Sequence, residues 1–557
     1  MNSPRPALVT QRAAQRLPRP LLLLFCAAWV VPGVFGREPW RNADLASYGV
    51  MAAMAEGRTS WWSPTLGGLP VQAEPLPHWL GAAAIWLLGP TLGGPLAARL
   101  PFAIVLALAL ACVWYASYHL ARTEAARPVA FAFGGEASTL DYARAIADGS
   151  VLAMIATLGL LQLGHETTPE LVQLLGAGLT LWALAAAPYR PRSAPAGLVL
   201  GLSMLAASGA PAIAVTLGLL GIPICRRSAY PAARALVIWC VAGALVAALL
   251  AVVSKTWAWR WTFEPSGTQV LQIARQWLWF MWPAGPFALW TLWQWRHQGL
   301  NRHVSVPLAL VLTALATSVA MGGNDRALML ALPGLSVLAA FALPTFKRSL
   351  AAAIDWFSVF FFSLCAAFAW LTYVAMHTGH PARWAANITK LQPGFEPRFS
   401  ALALAVGLAG TVAWLALVRW RTGRQQHALW KSLVLPASGV ALCWLLLMSL
   451  WLPLLDHARS ARPLIERVAQ PLALANCVAA PDAPPAMVAA LEVYARKTVF
   501  AGAAGKPDQS ACNTLARFQR EAAPASVAGW QVVTSARRNR DDSDLLTIYR
   551  RQPISAP

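Results

Sequence analysis

LALAVGLAGTVAWLAL (Leu402–Leu417) and LVLPASGVALCWLLLMSLWL (Leu433–Leu452) are apolar runs without a charged side chain. A helix needs about 20 residues to cross a hydrocarbon core. Inside lipid only helices and closed barrels satisfy their backbone groups, and neither run alternates as a barrel strand does. Both therefore read as transmembrane helices. Working outward, the same reading predicts spans near 21–36, 100–120, 149–164, 171–187, 197–208, 211–225, 235–254, 278–294, 305–321, 327–344 and 354–376, about 13 in all with these two. Composition agrees: 57% of the 557 residues are hydrophobic and 12% charged, where a soluble chain carries about a quarter charged.

The formal charge of +21 would suggest nucleic acid in a soluble protein, but no soluble stretch interleaves basic and aromatic residues, so nucleic acid is excluded. Position matters more than total. Arg5, Arg12, Arg16 and Arg19 precede the first span without an acid, and Arg190/Arg192, Arg226/Arg227, Lys347/Arg348 and Arg419/Arg421/Arg424 all fall on the same side of the predicted bundle. The positive-inside rule puts that side, and the N-terminus, in the cytoplasm. No convincing cleavage site follows the first span, which is read as an uncleaved helix. An odd number of spans then places the C-terminal tail outside. The 27 Trp, including Trp61, Trp62, Trp257, Trp259, Trp261, Trp293 and Trp295 beside span ends, suit the membrane interface.

The predicted fold is thus an α-helical polytopic membrane protein, residues 1–455, followed by a small C-terminal α/β domain, residues 456–557, in the periplasm. Its strands include Gln531 to Thr534 and Leu545 to Tyr549. A long outer loop, 37–99, is expected to form short interfacial helices. Six Cys lie in or beside apolar spans; Cys477 and Cys512 lie in the tail and are expected to pair there.

Most candidates for chemistry face outward. Asp44 and Tyr48 are four apart and share a helix face; Asp44 is either a general base or a solvated acid beside Arg41. In His165-Glu166-Thr167-Thr168-Pro169-Glu170, Thr168 suits an N-cap, Pro169 the first helical position and Glu170 the positive end of the helix dipole. His165 and Glu166 are left as candidate catalytic groups. Glu74 and His78 sit in a proline-stiffened segment ending at Trp79. Arg326, in Gly322-Gly323-Asn324-Asp325-Arg326, either clamps a phosphate or pairs with Asp325. No zinc-ligand spacing, nucleotide loop or nucleophile elbow is found.

In this order the motifs resemble the GT-C membrane glycosyltransferases of the aminoarabinose-transferase and protein O-mannosyltransferase type, over roughly residues 20 to 345. Asp44 and Tyr48 fit that family's acidic motif. Glu56-Gly57 through Trp62-Ser63-Pro64-Thr65-Leu66-Gly67-Gly68 resembles its Trp-Pro-Gly stretch, and Glu74-Pro75 to Trp79 its Lys-Pro-Pro stretch. Arg99-Leu100-Pro101 and Arg326 with Leu332-Pro333 resemble its Arg-Leu-Pro elements. The resemblance implies a GT-C fold and transfer of a sugar from a polyprenyl-phosphate carrier to a periplasmic lipid, protein or glycan acceptor, in a bacterial inner membrane. It implies Asp44 as base, with no cofactor; a divalent metal stays open. The chain departs from the pattern in three places. Leu45 follows Asp44, Glu74 replaces the Lys expected on the carrier phosphate, and Ser208-Gly209-Ala210-Pro211 lacks the Lys of a Lys-Gly-Pro element. Arg326, Arg58 or Arg260 then takes the phosphate, with Tyr48, Glu74 and His78 as further substrate-binding candidates. The alternative is a degenerate relative that binds a carrier lipid or partner without transfer. A transporter is disfavoured, because the spans hold almost no charge at mid-membrane and no matched interrupted helices.

Overall fold

The computed structural model describes residues 7–40, 42–71, 74–257, 262–264, 266–422, 428–481, 483–502, 512–519, 526–537 and 545–552. Each expected span is helical over most of its length. Among the described residues, six helices are long and apolar enough to cross a membrane. They are Gly94–Ala121, Pro169–Ala186, Pro231–Val253, Arg302–Ala320, Arg348–Thr378 and Ala401–Arg421. Lys431–Leu447 with Leu452–Arg459, bent by 72° between them, makes a seventh if taken as one span. The other expected spans are shorter apolar helices, such as Arg19–Val30 and Pro211–Arg226, or are broken.

The helices meet through small residues. A β-carbon on Gly201 would stand 2.8 Å from the Gly176 carbonyl oxygen, and one on Gly176 2.9 Å from that of Gly201. Close backbone approach of this kind lets dispersion hold helices together where lipid supplies no hydrophobic drive. By contrast Ala401–Arg421 is only 11% buried across its most apolar window, so it is held along one edge.

Three local readings change. The stretch before the 149–164 span is helical from Thr139, because Ser138 accepts a hydrogen bond from the Asp141 N–H and caps the helix Thr139–Ala156. The 278–294 span breaks at residues 281–283 into Gly267–Phe280 and Ala284–Gln294. The outer loop holds not only short pieces but an 18-residue helix, Pro75–Leu92, whose Pro75 and Pro77 sit in its first turn, where a missing N–H costs nothing.

Among the described residues beyond 477, five strands form one sheet, in the order Val499–Phe500, Val478–Ala479, Thr514–Gln519, Leu545–Arg551, Trp530–Arg537. The first two contacts in that order are parallel and the last two antiparallel. A disulfide joins Cys477 to Cys512. The helix Pro485–Tyr494 packs on the outer-loop helix Ala43–Ala55: a β-carbon on Gly49 would come within 2.5 Å of the Ala489 β-carbon. Arg58 bridges the same contact, at 2.8 Å from Glu492 and 2.7 Å from Glu56.

Candidate functional site

Asp44 opens the helix Ala43–Ala55 and is 1% exposed. Its Oδ1 accepts from the Thr167 N–H and from the Thr167 hydroxyl, both at 2.8 Å. Its Oδ2 accepts from the Trp40 N–H at 3.0 Å and from the Arg37 guanidinium at 3.4 Å. A carboxylate has about four lone-pair sites, and all four are occupied. Burial works to raise its pKa, but the Arg37 and Arg99 charges and the N–H groups of Thr167 and Trp40 overcome it and hold Asp44 below the usual carboxylate range. Asp44 is therefore not a solvated interfacial acid. In this conformation it is an ionised hub tying the outer loop to residue 167.

The segment after the Thr139–Ala156 helix supplies the rest of the network. Glu166 accepts from Arg326 at 2.6 Å and from the Gln162 amide at 2.9 Å. Burial, then the nearby Asp44 charge, raises the Glu166 pKa against the pull of Arg326. Arg326 does not pair with Asp325: it spans Glu166, Glu170 at 3.4 Å and the Thr168 hydroxyl at 3.1 Å. Thr168 occupies the N-cap position, but its side chain makes no capping bond because its hydroxyl serves Arg326. His165 faces two carbonyls, Leu161 at 2.8 Å and Trp29 at 2.9 Å, one on each ring nitrogen. Burial lowers its pKa to about 4, opposed by those two carbonyls, only one of which a neutral ring can bond.

Asp44, His165, Glu166 and Arg326 thus converge on one network. Tyr48 lies buried on the same helix, packed with Ala52 and Ala98; burial raises its phenol to about 12. The remaining candidates lie elsewhere. Arg58 is engaged by Glu56 and Glu492. Glu74 lies against Gly209, where a β-carbon would stand 2.9 Å from its Oε1. Glu74 therefore lies beside Ser208-Gly209-Ala210-Pro211, the other place where the resemblance expects a cation. His78 is 3% exposed, and burial lowers its pKa to about 4 against the hydrogen bond that it donates to the Glu74 backbone. Arg260 and Arg41 lie outside the described residues.

The network reaches a cavity through Trp40. The indole N–H of Trp40 donates to Asp456 at 2.7 Å while its backbone N–H donates to Asp44. Asp456 lines a polar cavity of ≈ 390 Å³ with Glu38, Arg398, His457, Ser460 and Arg462. Burial pushes its carboxyl up to about 6, against the bonds from Trp40 and the Glu38 N–H. Arg462 pairs with Glu38 at 2.9 Å. Arg99 stood out only as the start of an Arg-Leu-Pro element, and Arg37 and Asp456 did not stand out; a lone Arg following an apolar run and an acid following another were their available signals. Among the described residues no group of three or more His, Cys, Asp or Glu is placed to hold a metal ion.

No family model and no curated protein sequence matches this chain. Solved structures do, among them two of one protein. A crystal structure of ArnT from Cupriavidus metallidurans bound to undecaprenyl phosphate superposes with a TM-score of 0.58 at 14% identity, covering 97% of this chain and all of that one. The apo state of the same protein gives a TM-score of 0.56 at 16% identity, covering 95% and 98%. Over nearly its whole length this chain has the GT-C fold of ArnT, and it is a distant structural relative of that protein.

Proposed function

We propose that the chain is a glycosyltransferase of the outer face of a bacterial inner membrane, with its N-terminus in the cytoplasm and residues 456–557 as a periplasmic domain. It moves a sugar from a polyprenyl-phosphate carrier to a periplasmic acceptor. The observation that carries this reading is a fold shared end to end with a protein solved with undecaprenyl phosphate. An acceptor oxygen attacks the anomeric carbon, the bond from that carbon to the carrier phosphate breaks, and the acceptor proton passes to a carboxylate. Asp44 suits that last role because one of its four bonds comes from a rotatable group. Turning the Thr167 hydroxyl away frees a lone pair while the three N–H bonds keep the carboxylate in place. Glu166 and Arg326 hold the segment that carries Thr167. Catalysis then comes chiefly from positioning and from stabilising the leaving phosphate.

A second reading has specific support. With every lone pair of Asp44 engaged, the chain would bind a carrier lipid without transferring its sugar. Purified protein in nanodiscs, supplied with polyprenyl-phosphate sugar and a membrane acceptor extract, separates the two. Release of carrier phosphate with a glycosylated acceptor supports the transferase; carrier retained with its sugar intact supports the second reading.

A further inference from the structure

Arg302 opens the helix Arg302–Ala320 and is 7% exposed. A basic side chain at the end of a span ordinarily reaches its charged head out to the interface. Arg302 turns into the bundle instead. Its Nη2 donates to the Leu184 carbonyl, while its Nε and Nη1 are buried without a hydrogen-bond partner among the described residues. An unpaired charge buried in this way is strongly destabilising, so a neighbour carrying negative charge is expected. Cys225 meets that need. It stands in the last turn of the helix Pro211–Arg226, is fully buried, and lies within hydrogen-bond reach of Arg302. Tyr230 and Tyr189 also face Arg302, but a thiol ordinarily ionises about 1.5 pH units below a phenol.

A second thiol completes the group. Cys240, on the helix Pro231–Val253 and likewise fully buried, is in hydrogen-bond contact with Cys225. Gly221 makes the room for it. Gly221 sits one turn before Cys225 on the same helix face, and a β-carbon there would stand 2.8 Å from the Cys240 sulfur. A guanidinium, a thiol beside it and a second thiol against the first are the parts of a reactive dithiol. None of the three belongs to the Asp44 network.

We infer that Cys225 and Cys240 are a peroxide-reactive thiol pair, with Cys225 as nucleophile, Arg302 as its counter-cation and Cys240 as the resolving thiol. The Cys225 thiolate attacks one oxygen of hydrogen peroxide. An S–O bond forms, the O–O bond breaks, and the departing hydroxide recovers the proton that Cys225 had released and leaves as water. Cys240 then gives its proton to the sulfenic oxygen while its sulfur attacks the Cys225 sulfur. The S–S bond forms, the S–O bond breaks, and a second water leaves. Two thiols are oxidised and one peroxide is reduced. Hydrogen peroxide is uncharged and close to water in size, which suits a buried target. In the topology proposed above, Arg226 and Arg227 mark this end of the bundle as cytoplasmic, so the pair rests as the dithiol in a reducing compartment. This chemistry is independent of sugar transfer.

A second pair in the same molecule supplies the comparison. Cys365 and Cys443 are also in hydrogen-bond contact, but among the described residues no charged group acts on either, and both are more exposed than Cys225. Exposure alone would make Cys365 react first; a counter-cation puts Cys225 first. Full-length protein in nanodiscs is treated with hydrogen peroxide, and each Cys is followed by differential alkylation and peptide mass spectrometry. The Cys225–Cys240 link should form about tenfold faster than Cys365 or Cys443 is consumed, the gain of about one pH unit in thiol acidity, and dithiothreitol should reverse it. Cys240→Ser should stop at the Cys225 sulfenic acid, captured by dimedone. Arg302→Met should slow the reaction about tenfold by the same reckoning, and Arg302→Lys should restore most of it. Absence of the link, or oxidation of Cys365 ahead of Cys225, would overturn the inference. So would an unchanged rate in Arg302→Met with wild-type thermal unfolding. The comparison of the two pairs uses the wild-type protein, so it decides even where Arg302→Met does not fold.

Discussion

Thr167 gives Asp44 two hydrogen bonds, one from its backbone and one from its hydroxyl, and only the second can be withdrawn without moving the chain. Thr167→Val should therefore keep or raise transfer, while lowering stability by about 1.5–3 kcal/mol for a lost bond to a charged group. Asp44→Asn should abolish transfer and also lower the unfolding temperature, since breaking a buried pair costs about 3–5 kcal/mol. Thermal unfolding beside a transfer assay separates the two variants; a Thr167→Val protein that folds but does not transfer would contradict the rotating-hydroxyl account. Asp456 makes a pH prediction. Folded, it keeps its proton up to about pH 6; its ordinary value is 3.8. The folded state then binds more protons between those values, so this residue's contribution to stability falls as pH rises through that window. The difference in unfolding temperature between wild type and Asp456→Asn should follow this slope and flatten outside it. At this scale the sequence made Asp44, His165, Glu166 and Arg326 visible as polar groups beside span ends. It did not show who would pair with whom: Arg326 reaches back 160 positions to Glu166, and no spacing rule encodes that.

Among elements, the apolar runs were legible because hydrocarbon demands length, and length is written directly in the chain. Breaks were harder. The split at residues 281–283 sits inside a run apolar enough to be taken as continuous. The start of the Thr139–Ala156 helix had a sequence signal, Ser138 three residues before Asp141, a capping pattern overshadowed by the polar surroundings. The contact between the helices Ala43–Ala55 and Pro485–Tyr494 had none, since it depends on Gly49 meeting Ala489 across more than 400 residues. That contact predicts a specific failure. Gly49→Val forces a side chain into the Ala489 β-carbon, and overpacking of this kind costs about 1–3 kcal/mol. Limited proteolysis should then cut the chain after residue 460 faster than in wild type, with the apolar helices still protected; equal rates would mean that the contact does not hold the C-terminal part in place.

Across the whole molecule, the GT-C reading came from the order of weak motifs, and the superposition on ArnT extends it over the C-terminal helices and sheet that those motifs did not cover. The Cys477–Cys512 link closes a loop of 35 residues. Its removal by Cys477→Ser and Cys512→Ser should cost about 3–4 kcal/mol by loop entropy, lowering the unfolding temperature of the C-terminal part; no shift would mean the link contributes nothing to its stability. What the sequence left unreadable was any phosphate site, because neither Glu74 nor Ser208-Gly209-Ala210-Pro211 supplies the Lys that the resemblance expects. The central claim is that this protein moves sugar from a lipid phosphate. The most direct measurement is mass spectrometry of glycans and lipids in membranes from a deletion strain, complemented with wild type or with Asp44→Asn expressed at equal level. The account predicts a sugar adduct lost on deletion, restored by wild type and not by Asp44→Asn. An unchanged set of adducts in the parent strain, the deletion strain and both complemented strains, with the protein well expressed, would contradict it.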